Sequence, residues 1–329
     1  MKATITATAH HVPEKILTNY DIEKMVQTSD EWIQNRTGIK QRHIVSKGEA
    51  SSDLSAHVAK KLLFARGIDA SEIDVIIVGT VTPDHPTPST AAIVQNNINA
   101  VNAWAFDLSA ACSGFLFGLE TGSKFIESGV YNKVMVIGVD TMTSILDFED
   151  RETCVIFGDG AGGVILEPTN LNSGIISSIL KTDGSGASSL CVKAGGSRKP
   201  ASKETLTNRE HFIKQDGKKV FKFAVQRMAD ASEQILKTNG LDGNDIKLFI
   251  PHQANKRIID ATGKRCGIPK ERIFINIDRF GNTTAGTIPI ALDEAVKNEL
   301  IKNGDYILLA AFGSGFTWGS VLIKWNLKS

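Results

Sequence analysis

The stretch Asp107-Leu108-Ser109-Ala110-Ala111-Cys112-Ser113-Gly114-Phe115 decides how this 329-residue chain is read. A strand-like run ends at Leu108, small residues turn, and a helix-period stretch begins just past the cysteine. Over Ser113–Ser128 the residues Phe115, Leu116, Leu119 and Ile126 share one helical face, and Gly129 stops it. The apolar run Val134–Val139 follows, so Val101–Asp140 reads strand, small-residue turn, helix, glycine, strand. A cysteine at such a turn has a physical use. The positive end of the helix dipole stabilises a thiolate, and small neighbours let a substrate approach. Beside that reading stands a plainer one, a free cysteine buried as a small hydrophobe.

The same grammar recurs along the chain. Strands are expected at Val75–Gly79, Val134–Val139, Cys154–Phe157, Gly163–Leu166, Leu248–Ile250, Ile273–Ile277, Tyr306–Ala311 and Ser320–Trp325. Runs apolar on both faces suit sheets covered by helices on both sides. Helices are expected at Ser52–Arg66, Ser113–Ser128, Phe223–Asn239 and Gly286–Lys302. Ile273–Phe312 echoes the order of Val101–Asp140, which hints at duplicated halves, 1–170 and 171–329, meeting near Pro168–Ser173. Lys181–Lys219, rich in Gly, Ser and Lys, reads as an extended surface excursion. Phe157–Gly163 lacks the phosphate-loop spacing and reads as a tight connection between strands.

Two further segments carry polar residues at strand ends. His252 follows Leu248–Ile250 and Pro251, where open α/β sheets usually place ligands, and Asn255 can cap the next helix. Asn282 lies in Phe280-Gly281-Asn282-Thr283-Thr284, foremost a turn signal. Singly, these are an ordinary loop histidine and a turn asparagine. Together with Cys112 they make a set suited to thioester chemistry, one nucleophile and two hydrogen-bond donors for a developing oxyanion. The other six histidines, His10, His11, His43, His57, His85 and His211, have no partner at diagnostic spacing and read as structural or exposed.

Composition excludes several classes. Lys and Arg number 37 against 36 Asp and Glu, a net charge of +1, which argues against a protein that binds nucleic acid by neutralising phosphates. With 42% apolar residues the chain can fill a sizeable core. No apolar run approaches the length needed to span a bilayer, and the four cysteines lack zinc-ligand spacing. A cytoplasmic, metal-free protein is expected. The neutrality is an average, however: Lys193–Lys222 carries a local excess of +6 and His252–Arg272 one of +4. A solvated face is the bland account of such runs, and a phosphate-binding rim the functional one.

These motifs, in this order and spacing, resemble the 3-oxoacyl-[acyl-carrier-protein] synthase III family from about Pro13 to Trp325. The most specific matches are Ser29–Gly38, the Cys112 stretch, Asp150-Arg151, Phe157–Gly162, His252–Arg257, Gly281–Thr283 and Phe316–Gly319. The resemblance implies an α/β thiolase-like fold of two similar halves in α-β-α-β-α layers, usually a homodimer. It implies decarboxylative condensation of an acyl-CoA with malonyl-acyl carrier protein, both of them substrates, without a cofactor. By the match, Cys112, His252 and Asn282 are catalytic, and Trp32, Arg36, Arg151 and Arg257 hold coenzyme A. Thr87, Phe312 and Ser314 border the substrate. Gln253, Ala254, Asn255, Lys256 and Arg257 form the carrier-protein segment, joined by Lys222, Lys264 and Arg265 on a basic face. Three departures stand out. Ser314 replaces a frequent glycine, Gly286-Thr287 replaces Ala-Ser, and Thr87 stands where acetyl-preferring members often carry a Phe reaching in from the partner subunit. Tolerance for starters longer than acetyl is therefore expected. Two other functions fit the same residues: acyl transfer to another acceptor, and non-catalytic acyl-thioester binding.

Overall fold

The computed structural model describes residues 1–327. Strand β1 (Lys2–His11) opens the chain and is followed by helices α1 (Asp30–Thr37) and α2 (Ser51–Arg66). Strands β2 (Val75–Gly79) and β3 (Trp104–Leu108) precede helix α3 (Gly114–Glu127), and β4 (Val134–Thr141) and β5 (Asp159–Thr169) complete a first sheet. Its order is β1-β5-β4-β2-β3, with β2 parallel to β3 and β4, and β5 antiparallel to β4 and β1.

The second sheet starts at β6 (Gly174–Thr182), and the chain then forms helix α4 (Gly217–Thr238), strand β7 (Ile246–Pro251) and helix α5 (Lys256–Arg265). Helix α6 (Thr287–Lys297) leads to β8 (Tyr306–Gly313) and β9 (Thr317–Lys324). The strand order is β7-β8-β9-β6. Helix α2 packs outside the first sheet, α3 and α6 lie between the sheets, and α4 covers the far face of the second with α5 against it. These are the expected α-β-α-β-α layers.

The sandwich explains the unbroken apolar strands. Val75, Ile77, Val134 and Val136 join the cluster around α3 and α6, whereas Ile76, Val78, Met135 and Ile137 join the cluster under α2. All are fully buried, and each such side chain contributes about 1.5–3 kcal/mol of transfer free energy.

Several expected elements differ. Cys154–Phe157 is no strand: Asp150 caps a short helix, Arg151–Cys154, by accepting from the Glu152 N–H, and the apolar residues that follow bury beneath α1 and the preceding loops. At Ile273–Ile277 there is a single bridge, Phe249↔Ile273, before a helical turn at Ile277–Phe280. The Gly158–Gly163 run is no tight connection. It enters the 11-residue strand β5, and its glycines make room for the start of α6: a Cβ at Gly162 would stand 2.7 Å from the Ile290 nitrogen. The Lys181–Lys219 segment includes an antiparallel pair, Leu190–Val192 with Ile213–Gln215, and buries Leu190 and Ile213.

Helices α3 and α6 both start at the centre of the molecule. Gly138 of β4 lies so close to the turn before α6 that an added Cβ would overlap the Ala285 carbonyl. Neither backbone can yield cheaply. Gly138→Ala is therefore expected to destabilise the protein by about 3 kcal/mol in denaturant titration; a loss within experimental error would show that the turn is free to move.

Candidate active site

Cys112 lies in a short 3-10 turn, Ala111–Ser113, that runs straight into α3. Ala111 adopts a left-handed backbone, φ +49°, which costs a non-glycine residue free energy and must be compensated by its surroundings. The Thr317 hydroxyl supplies part of this by donating to the Ala110 carbonyl at 2.8 Å, and the Ser113 hydroxyl donates to the Thr317 carbonyl at 3.1 Å. Strand β8 also crosses the turn at Gly313, where a Cβ would stand 2.7 Å from the Cys112 nitrogen.

His252 and Asn282 line the same cavity as Cys112, together with Phe312 and Gly313. His252 follows the end of β7, its N–H donating to the Ala310 carbonyl at 2.8 Å. Its Nδ1 lies 2.7 Å from the Thr287 hydroxyl, which is also 3.1 Å from the Thr284 carbonyl. That hydroxyl has one proton and two acceptors in reach. Given to Nδ1, it leaves Nε2 as a donor; given to the carbonyl, it leaves Nε2 as an acceptor. The Asn282 Oδ1 accepts from the Thr284 N–H at 2.8 Å, and its backbone bonds both ways with the Ile156–Gly158 segment.

Burial sets the protonation states. It pushes the Cys112 thiol up to about 12, with the nearby Asp140 carboxylate adding to the effect, so the resting group is a thiol. It pushes His252 down to about 3, so the imidazole is neutral at ordinary pH and acts through hydrogen bonds, not charge. Asp140, itself fully buried, is held above the usual carboxylate range by desolvation, opposed by hydrogen bonds from Thr284, Val81, Ala285 and Thr82.

Three adjoining spaces lead from the surface to Cys112 and beyond. An outer basin of about 600 Å³ is lined by Trp32, Arg36, Arg151, Lys218 and Arg257. Trp32 is flanked by Arg151 at 5.0 Å and Arg36 at 5.8 Å from its ring centroid. The basin shares Ile156, Gln215, Phe221 and Asn255 with the narrower Cys112 cavity. Past Cys112, Phe157 and Leu190 opens a third chamber of about 410 Å³, walled by Val81, Met142, Ile145, Ile213 and Ser314. The Ser314 hydroxyl donates to the Leu190 carbonyl.

The expected carrier-protein segment divides. Gln253 is a correction: it is buried, its amide donates to the Pro251 and Phe274 carbonyls, and its oxygen accepts from the Asn276 N–H, so no side-chain group remains for a partner. Ala254, Asn255 and Lys256 are partly exposed and Arg257 is exposed. Asn255 caps α5 and donates to the Arg36 carbonyl at 2.9 Å. Arg265 is paired with Asp230 and Glu233, and Lys256 with Asp260, whereas Lys222 and Lys264 are exposed and unpaired among the described residues. Thr87 is exposed and lines none of the three spaces. Sequence reasoning missed Asp140 and Thr284, and met Thr287 only as a departure from the family pattern; the signal for Asp140 was a carboxylate directly after the apolar run Val134–Val139 of β4. Among the described residues no group of three or more His, Cys, Asp or Glu is placed to hold a metal, and no helix is long and apolar enough to cross a membrane.

Comparison with known proteins follows this geometry. Residues 106–184 match the 3-Oxoacyl-[acyl-carrier-protein (ACP)] synthase III family, and residues 236–325 match its C-terminal domain. The Beta-ketoacyl-[acyl-carrier-protein] synthase III of Koribacter versatilis is 52% identical over 326 residues, 98% of each chain. The chain belongs to the 3-oxoacyl-[acyl-carrier-protein] synthase III family. The corresponding synthase of Chlorobaculum tepidum is 53% identical over 329 residues, 99% of this chain and 100% of its own. The crystal structure of 3-oxoacyl-[acyl-carrier-protein] synthase III from Aquifex aeolicus superposes with a TM-score of 0.91 at 41% identity, covering 98% of this chain and all of that one. The synthase III fold is thiolase-like, and the protein is an acyl-transferring condensing enzyme that initiates fatty-acid synthesis.

The His252 shift has a consequence for stability. Its ordinary value is 6.5 and its folded value about 3. Between those values the unfolded chain takes up a proton that the folded chain refuses, so stability falls as pH falls, by up to about 1.4 kcal/mol per unit. His252→Asn, which can keep a bond to Thr287, is expected to flatten the stability–pH slope between pH 6 and 4 in calorimetry; an unchanged slope would assign that acid sensitivity elsewhere.

Proposed function

We propose that Cys112 is the nucleophile, that His252 and Asn282 stabilise the condensation step, and that the three connected spaces hold one acyl thioester end to end. The observation that carries this is the placement of one thiol and two neutral hydrogen-bonding groups on a single cavity whose mouth is cationic and aromatic. The nucleotide phosphates of an acyl-CoA lie in the outer basin among Arg36, Arg151 and Arg257, with the base against Trp32. The pantetheine arm follows the cavity past Phe312 to Cys112.

The sulfur attacks the thioester carbonyl, its proton leaves, and the tetrahedral oxyanion accepts from backbone N–H groups at Cys112 and in the Gly313–Gly315 turn. The carbon–sulfur bond of the donor breaks, coenzyme A leaves as its thiol, and the acyl chain extends into the chamber beyond. Malonyl-acyl carrier protein then inserts its own arm. With the Thr287 proton on Nδ1, His252 Nε2–H and Asn282 Nδ2–H donate to its thioester oxygen. Loss of CO2 leaves an enolate held by those donors, and the enolate carbon attacks acyl-Cys112 and frees the sulfur. Such a donor is worth about 10²–10³ in rate. A helix start beside the sulfur favours each anionic stage.

The carrier protein docks, in this reading, on the exposed part of 254–257 with Lys222 and Lys264. The protein works in the cytoplasm as a homodimer of chains whose halves are 1–170 and 171–329. The open edge of β3 supports the dimer: Trp104, Ala105, Phe106 and Leu108 are apolar but incompletely buried, the kind of edge a second copy covers. Thr87 then borders the partner's chamber.

Two experiments test the reading. Incubated with acyl-CoA, the protein should gain an acyl mass on Cys112, and Cys112→Ala should abolish it. His252→Ala and Asn282→Ala should lower CO2 release from malonyl-acyl carrier protein by about 10²–10³ while sparing acylation; the opposite order would overturn the roles. The size of the chamber and Thr87 predict comparable turnover with acetyl-CoA and with longer or branched acyl-CoAs. Turnover with acetyl-CoA far above every longer starter would refute that specificity.

A further inference from the structure

Thr284 lies two residues past Asn282 and is 3% exposed. Its backbone is left-handed, φ +48°, a conformation that a β-branched residue adopts only when its surroundings enforce it. Its N–H, carbonyl and hydroxyl are all engaged. Its N–H donates to Asn282 Oδ1 at 2.8 Å. Its carbonyl faces Thr287 Oγ1 at 3.1 Å, the hydroxyl that meets His252 Nδ1. Its own hydroxyl donates to Asp140 Oδ2.

Asp140 has no cation opposite it among the described residues. Its Oδ1 accepts from the Thr80 and Thr82 hydroxyls and from the Val81 and Thr82 N–H groups, at 2.7–3.1 Å. Its Oδ2 accepts from the Thr284 hydroxyl and, at 3.2 Å, from the Ala285 N–H. A buried carboxylate is retained only where enough donors converge on it. Here they come from the loop after β2 and the turn before α6, so the carboxylate at the end of β4 ties both to the sheet.

The consequence falls on the amide. An asparagine side chain can present either end to a ligand. With Oδ1 engaged by the Thr284 N–H, only Nδ2 is left for the cavity, and Asn282 is a donor. We propose that Thr284, anchored on Asp140, is a positioning residue that fixes the Asn282 amide as a donor for decarboxylation. This rests on the assignment of Asn282 given above.

The test separates the two half-reactions in the full-length protein, with Asn282→Ala as the benchmark. Thr284→Val keeps the shape and removes the hydroxyl, Thr284→Ser keeps the hydroxyl, and Thr284→Gly relieves the backbone while removing it. In Thr284→Val and Thr284→Gly, kcat for 3-oxoacyl product is expected to fall about 100-fold, with KM for malonyl-acyl carrier protein and the rate of Cys112 acylation little changed. Thr284→Ser should recover most of the rate. Equal loss in both half-reactions, failure of serine to rescue, or full condensation in Thr284→Gly would each overturn the proposal. If Thr284→Val does not fold, the serine and glycine variants decide the matter alone. Should Asn282→Ala itself leave CO2 release intact, the donor assignment fails first, and the two failures are told apart.

Discussion

Two helices that begin at the same point, back to back, are the constraint on which the molecule is built. The start of α3 carries Cys112 and the turn before α6 follows Asn282, and both lie between the sheets. A Cβ at Gly79 would stand 2.9 Å from the Gly114 carbonyl carbon, and one at Gly114 would stand 3.4 Å from the Ala285 Cβ. Close packing in an interior leaves no slack at such distances. The Cys112 turn and the asparagine turn are thus located by close backbone contacts, and side-chain packing of α3 and α6 into one apolar cluster keeps them there.

Around that contact the site is buried and nearly free of formal charge. His252 is neutral, Cys112 rests as a thiol, and the buried Asp140 carboxylate is surrounded by donors. A weakly polarisable interior strengthens every hydrogen bond made to a developing oxyanion, because little water competes for it. The cations stand at the mouth instead, on Arg36, Arg151 and Arg257, where partial solvation makes charge cheap to hold. On the proposed reading, recognition by charge and chemistry by dipoles are kept apart along the bound thioester.

Much of this was legible in the chain. Apolar runs at Val75–Gly79 and Val134–Val139 announce strands covered on both faces, and the small residues before Phe115 announce a turn into a helix. What misled was local apolarity without a ladder. Ile273–Ile277 has strand composition but makes one bridge on the outer edge of β7 before the chain turns into the helix at Ile277–Phe280. The glycines of Gly158–Gly163 look like a loop in isolation; Gly160, Gly162 and Gly163 are strand residues, and the first two are small because the start of α6 presses on them from another part of the chain. Gln253 illustrates the same limit at the site. The residues after it are partly exposed, and only the path of the chain past Phe274 and Asn276 shows that its amide is consumed indoors. Asp140 and Thr284 lie 144 positions apart, and no local pattern connects them.

The chamber beyond Cys112, the narrow passage and the outer basin form a single corridor with the sulfur part-way along it. Two cargo arms cannot share such a corridor. On the proposed reading, the first delivers its load and backs out before the second enters, and the load waits in the chamber past the sulfur meanwhile. Order of arrival then follows from the shape of the corridor. A spent carrier that lingers in the doorway halts the line as surely as a blocked nucleophile.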